Sequence, residues 1–208
     1  MTLVNPVHEE YGIMQLKLVY WGPGESGKTT NYLQLLKRYS NKQVSSGFKI
    51  ETTDRRTLWQ DSGFLTFKTD LMGKPYRIVI QIVTCTGQER FLSTREYVLH
   101  GADGIIFVAD SDPDKIMDNL RSFQELLAFI SSRNIPFLIQ LNKRDLADAI
   151  SIEQFKQEMG LPEENVDQDA HLIVYPCVAI KGTDVYRVFQ DIIEKILLNR
   201  LLEQENGL

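Results

Sequence analysis

Gly22-Pro23-Gly24-Glu25-Ser26-Gly27-Lys28-Thr29 fits the pattern G-x-x-x-x-G-K-S/T without a mismatch. It lies between two segments of different period. Upstream, Ile13-Met14-Gln15-Leu16-Lys17-Leu18-Val19-Tyr20 alternates as a strand does. Downstream, Tyr32, Leu33, Leu36 and Tyr39 place a helix over Thr30 to Tyr39. A glycine-rich turn in that setting presents successive backbone N–H groups to phosphate oxygens, and glycines allow the close approach and unusual backbone angles this requires. The helix start adds unpaired N–H groups and the positive end of the helix dipole. Gly22, Gly24, Glu25, Ser26, Gly27, Lys28, Thr29 and Thr30 are therefore expected to line a phosphate site. Lys28 would neutralise β- and γ-phosphate charge, and the Thr29 hydroxyl would ligate magnesium. Glu25 puts a carboxylate into an anion loop, so its side chain is expected to turn out to solvent.

Working outward, residues 40–57 are polar and read as a long loop. Phe64–Lys68 and Tyr76–Val83 are β-like and flank Asp70-Leu71-Met72-Gly73-Lys74-Pro75, a hairpin connection. Gly104-Ile105-Ile106-Phe107-Val108-Ala109 is a continuous apolar run, the mark of a strand buried on both faces. A helix is expected from Pro113 to about Ser132, with Ile116, Leu120, Phe123, Leu127 and Ile130 on one stripe. Pro136–Leu141 reads as a buried strand, Ile152–Met159 as a short helix and Leu172–Tyr175 as a further strand. Val185, Val188, Phe189, Ile192, Ile193, Ile196 and Leu197 define the last helix. It lacks a basic face, so it is expected to pack on the sheet. Strands alternating with helices imply a three-layer α/β fold around a mostly parallel sheet of six or seven strands, with one antiparallel edge strand. No repeat or linker divides the chain, so residues 1–208 are expected to form one domain, with 1–12 an N-terminal extension.

Composition narrows the function classes. The 208 residues carry 23 Lys+Arg against 28 Asp+Glu, a formal charge of −5, so the chain as a whole does not attract nucleic acid. A hydrophobic content of 43% excludes a disordered chain. Two cysteines, Cys85 and Cys177, make neither a disulfide framework nor a zinc pair, and Cys177 reads as a core residue. No leader, no membrane-spanning run and no lipidation signal is evident, so a cytoplasmic protein without a lipid anchor is expected.

Gln140-Leu141-Asn142-Lys143-Arg144-Asp145 follows a buried strand, which places N-K-x-D at the carboxyl end of a sheet strand, where ligands bind in such folds. Guanine presents a ring N–H beside an exocyclic amine, and one carboxylate, Asp145, can accept from both. Adenine has an acceptor in place of the ring N–H, and would leave the carboxylate facing a lone pair. Lys143 would lay its stem along the base, and Asn142 would tie the loop together.

The order GPGESGKT, TCTGQE and NKRD resembles the Ras superfamily of small GTPases across nearly the whole chain. The wording GPGxSGKT, the run Gly101–Ser111 and T-x-x-G-Q in place of D-x-x-G-Q make it most similar to the prokaryotic MglA-type GTPases of cell polarity and gliding motility. That resemblance implies a P-loop NTPase G domain that binds GTP or GDP with Mg2+. Gln88 would orient the attacking water, and the Gly87 N–H would meet the γ-phosphate. Thr84 replaces a magnesium-associated Asp with a neutral hydroxyl, so the metal would lean more on Thr29 and a switch threonine. In the first switch, residues 50–61, Thr57 matches the family's wording best, with Thr52 and Thr53 as alternatives. Arg56 matches an arginine that stabilises charge on the transferring phosphoryl group; Arg55 and Arg56 could also be a solvated charged loop. Val178, Ala179 and Ile180 fall where the family reads S-A-K, and the Ala179 N–H would meet the guanine keto oxygen. The resemblance also implies a roadblock-fold, MglB-like activator and effector proteins that read the switch loops. The leading expectation is a switch that hydrolyses GTP. The alternative is a GTP-binding scaffold with negligible turnover.

Overall fold

The computed structural model describes residues 11–45, 50–51, 57–59, 61–85, 97–131, 133–162 and 173–205. The alternating stretch forms strand β1, Gly12–Trp21, whose last four residues are all buried. The glycine-rich loop follows and opens directly into helix α1, Lys28–Arg38, with Lys37 and Arg38 placed favourably for the dipole in its last turn. Beyond α1 come three short strands, β2 (Gln43–Ser45), β3 (Ile50–Glu51) and β4 (Thr57–Trp59). The segment expected to be one long loop is thus punctuated by strands. β2 pairs with β5, Ser62–Leu71, and β3 pairs with β4. Backbone pairing defines these short strands, and polar composition does not betray it.

β5 and β6, Lys74–Thr84, form the expected hairpin. Their connection is tighter than the six residues read from sequence. Pairing runs on to Leu71↔Lys74, leaving Met72-Gly73 as the turn, both residues at positive φ (55° and 75°). Such turns match the right-handed twist of the flanking strands. The Asp70 carboxylate steadies the turn by accepting from the Gly73 N–H at 2.8 Å.

β7, Gly104–Asp110, is buried at every position. The next helix, α2, spans Ile116–Ile130 after a 3-10 turn at Pro113–Lys115. Its buried stripe differs by one residue from the expected one: Leu126 is fully buried, whereas Leu127 is 40% exposed. β8 is Phe137–Asn142, α3 is Ile152–Glu158, β9 is Val174–Pro176 and α4 is Val185–Glu205. The last strand starts two residues later than expected, and Leu172 lies outside the described residues. No helix among the described residues is long and apolar enough to cross a membrane.

The seven-stranded sheet has the order β2-β5-β6-β1-β7-β8-β9. β5 is the antiparallel strand, and the three-residue β2 pairs outside it. On one face α1 and α4 pack over Leu18, Tyr20, Ile80 and Ile82, with Leu35, Val188 and Ile192 between the layers. On the other, Val19, Trp21 and Phe107 meet Phe123 and Leu126 of α2 and Phe155 of α3. Gly104 sets how closely α4 lies on the sheet. A Cβ there would come within 2.5 Å of Ile196 Cδ1, so a larger residue would push the helix away.

The sheet order decides where a site can form. β1 has β6 on one side and β7 on the other, so the connections after β1 and β7 leave in opposite directions. The crevice at such a switch point, beyond the carboxyl ends of the strands, is where α/β sheets bind ligands. The glycine-rich loop opens into it.

Candidate functional site

Gly22 and Gly27 adopt φ of 147° and 100°, angles that L side chains rarely take. A Cβ on Gly22 would meet the Val108 carbonyl oxygen at 2.2 Å, and one on Gly27 would meet Asn142 Nδ2 at 2.2 Å. Glycine at these two positions therefore lets the loop lie directly against β7 and the end of β8. Gly24 is half-buried and Glu25 is exposed in the left-handed region, φ 62°, so its carboxylate does turn outward. Ser26 is fully buried, and its Oγ has no hydrogen-bond partner among the described residues. Lys28, 6% exposed, closes back over the loop and donates to the carbonyls of Gly22 and Pro23. Thr29 is exposed and Thr30 half-buried at the start of α1.

Asn142 joins this loop to the base-motif side. Its Nδ2 donates to the Ser26 carbonyl at 2.8 Å, and its Oδ1 accepts from the Ala179 N–H at 2.8 Å. One 3% exposed side chain thus links three segments. Beneath it, Gln140 Nε2 donates to Asn31 Oδ1 at 2.8 Å, and Asn31 Nδ2 donates to the Gly27 carbonyl at 2.9 Å. The paired groups hold their geometry, because breaking a bond strands a partner away from water, although Gln140 Oε1 has no hydrogen-bond partner among the described residues.

Ala179 is 1% exposed, and its N–H, expected to face a keto oxygen, is already engaged by Asn142. A base oxygen would have to share it. Val178 is half-buried, and the Ile180 side chain is 73% exposed. Lys143 takes φ 64°, and its Nζ lies 2.6 Å from Asp110 Oδ2. Asp145 lies 3.6 Å from Lys181 Nζ. Arg144 points away from the crevice and pins the motif: its N–H donates to the Cys177 carbonyl at 3.1 Å, and its guanidinium reaches Ser111 Oγ and the Ile150 carbonyl. Cys177 is fully buried, and burial pushes its thiol up to about 12, in keeping with a core residue.

A second cluster brings in a residue to which sequence reasoning assigned no role. Asp61 Oδ2 accepts from Thr29 Oγ1 at 2.6 Å and lies 3.4 Å from Thr84 Oγ1. The Asp61 N–H donates to Thr84 Oγ1 at 3.1 Å, and the Thr84 N–H to the Asp61 carbonyl at 2.9 Å. A carboxylate thus stands beside Thr84, the position where the resemblance implies an acid. The signal was in the hairpin: a connection centred between Met72 and Gly73 counts back to put Asp61 opposite Thr84. Arg55, Arg56, Gly87, Gln88, Thr52 and Thr53 lie outside the described residues. Thr57 is described only through its backbone, in β4.

A loop built for close anion approach, at the switch point of a mostly parallel sheet and clamped to an N-K-x-D strand end, defines a guanine-nucleotide-binding G domain. The family model for the ADP-ribosylation factor family matches residues 7–196, and the chain belongs to that family of Ras-superfamily small GTPases, GTP hydrolases. Among its relatives, Mutual gliding-motility protein MglA of Myxococcus xanthus is 28% identical over 202 residues, covering 95% of this chain and 96% of that protein. Ras-related protein Rab7 of Cenchrus ciliaris is 28% identical over 195 residues, 91% of this chain and 85% of its own. ADP-ribosylation factor K of Dictyostelium discoideum is 29% identical over 104 residues, half of each chain (50% and 54%).

Proposed function

We propose that this GTPase is an MglA-like switch that holds GTP or GDP with magnesium in the crevice at the end of β1. The observation that carries the reading is Asn142. By tying Ser26 of the phosphate loop to Ala179, it fixes the spacing between a phosphate cradle and Asp145, the carboxylate suited to guanine. Lys28 binds phosphate charge, and the buried Ser26 Oγ, without a partner among the described residues, is a polar group suited to a ligand oxygen.

The Thr29 and Thr84 hydroxyls lie 2.6 and 3.4 Å from Asp61 Oδ2, an all-oxygen donor set of the kind that suits a hard, oxygen-seeking cation. Magnesium bound there would neutralise charge on the β- and γ-phosphates. Thr29 would be its direct ligand, Asp61 the negative charge that Thr84 does not carry, and Thr57 the switch residue that joins them when triphosphate is present. Gln88 would orient the attacking water and Arg56 would offset charge on the transferring group. The loops around residues 50–61 and 84–97 would then tighten on the γ-phosphate and relax after hydrolysis, presenting effectors with two surfaces.

The MglA resemblance supports a cytoplasmic role in cell polarity or motility, with a roadblock-fold, MglB-like activator that shifts the switch while Arg56 is supplied by the chain itself. Chromatographic identification of the nucleotide that co-purifies tests the binding claim, and GDP or GTP is expected. Single-turnover hydrolysis of native protein and Gln88→Leu tests the switch. A rate equal in the two would favour the scaffold reading, which Thr84 motivates. Arg56→Ala, with and without activator, tests the intrinsic finger; an unchanged stimulated rate would reject it.

A further inference from the structure

Asp110 closes β7 directly opposite Asn142, at the rim of the crevice, yet it is fully buried. Its surroundings hold it on all sides. The Asp110 N–H donates to Asn119 Oδ1 at 2.9 Å, and Asn119 Nδ2 donates back to the Asp110 carbonyl at 2.8 Å. One carboxylate oxygen, Oδ1, accepts from the Asp112 N–H at 3.1 Å. The other, Oδ2, makes no conventional hydrogen bond in the described residues but lies 2.6 Å from the Lys143 ammonium. A carboxylate removed from water requires a counter-charge, and Lys143 supplies it. Lys143 for its part takes a left-handed backbone angle, φ 64°, which a lysine adopts only under constraint from its surroundings.

We propose that Asp110 is a positioning residue for the guanine base, acting through Lys143. It draws the ammonium down among the strand ends, so that the hydrocarbon stem and not the charge borders the base. The inference rests on reading Asn142–Asp145 as the base site. A clamped carboxylate on β7 thereby fixes a flexible side chain on the loop after β8, and the cost of ordering that side chain is met before nucleotide arrives.

The test is a double-mutant cycle read on release of a fluorescent N-methylanthraniloyl GDP from the full chain. Asp110→Asn preserves size and the acceptor for Asp112 while removing the charge, and Lys143→Met preserves the stem without the ammonium. Each single change is expected to speed release about tenfold, the worth of one charge-assisted contact, for labelled GDP and GTP alike. Asp110→Asn in the Lys143→Met background is expected to add less than about twofold, because its partner is already gone. Release from Asp110→Asn within twofold of native overturns the proposal. So does the same tenfold effect in both backgrounds, or loss of the fold, seen by circular dichroism, with Asp110→Asn but not Lys143→Met, since either makes the role of Asp110 purely structural. A native chain that releases labelled ADP as slowly as labelled GDP would instead overturn the guanine reading itself, and this proposal with it.

Discussion

The phosphate loop and the acidic corner beside it are neighbours built in opposite ways. The loop is eight consecutive residues whose shape depends on glycines at 22 and 27 and on the strand ends pressed against them. The corner is not written in one local motif. Thr29 begins a helix, Asp61 precedes β5 and Thr84 ends β6, separated by 32 and 23 positions in sequence. The loop shows that a chemistry needing backbone amides can be written in one short word. The corner shows that a carboxylate and two hydroxyls far apart in sequence are brought together where a helix start and two strand ends meet.

Four changes sharpen that contrast, and the largest effect belongs to the loop. Gly27→Ala adds a Cβ that would sit 2.2 Å from Asn142 Nδ2 at a φ of 100°. Strain and displacement of Asn142 should together weaken GDP binding at least about 100-fold, or about 3 kcal/mol, by fluorescence titration. A loss under fivefold would mean that the close approach is dispensable. Next, Asp61→Ala should lower the magnesium affinity of the GDP complex about tenfold, while GDP binding in EDTA stays within about twofold of native. Equal losses with and without magnesium would move Asp61 from a metal role to a scaffold role.

Thr84→Val keeps the shape of the side chain and removes the hydroxyl that accepts from the Asp61 N–H. Denaturant unfolding should show about 1 kcal/mol lost, and magnesium affinity should fall less than in Asp61→Ala. An effect on magnesium as large as that of Asp61→Ala would make Thr84 a direct ligand. The smallest effect lies outside both regions. Burial and a 2.9 Å hydrogen bond to Asp191 push the Tyr175 phenol up to about 12, against about 10 when unfolded. The folded state therefore favours the neutral phenol, so its stabilising contribution is complete below about pH 10 and is lost as pH rises toward 12. Tyr175→Phe should flatten the fall of melting temperature over that window, and an unchanged slope would assign the alkaline loss elsewhere.

Much of the architecture was legible because its causes are local. β7 is buried on both faces and so reads as an unbroken apolar run, and α4 carries its 3-1-3-1 stripe regardless of what it packs against. Readings failed where the cause was not local. Gln43–Ser45 is a strand only because β5 offers it an open edge, and Leu126 replaces Leu127 on the stripe because the packing of α2 against the sheet sets the rotation of the helix. At the candidate site, Lys28, Thr29, Asn142 and Asp145 were visible in their motifs, whereas Asp61 and Asp110 carry no motif and stand out only through what faces them.

The residue order alone determined the phosphate cradle, the succession of strands and helices, and the motif suited to guanine, since each rests on backbone freedom, periodicity or spacing within a few residues. Only the packed chain decided that Asn142 would bind the cradle to Ala179, that an aspartate would stand across a hairpin from Thr84, and that Lys143 would be held by a carboxylate on the next strand. The reason is physical: a hydrogen bond or an ion pair depends on separation in space, and packing brings Asn142 to Ser26, Thr84 to Asp61 and Lys143 to Asp110, far apart in sequence, within 3.5 Å of one another.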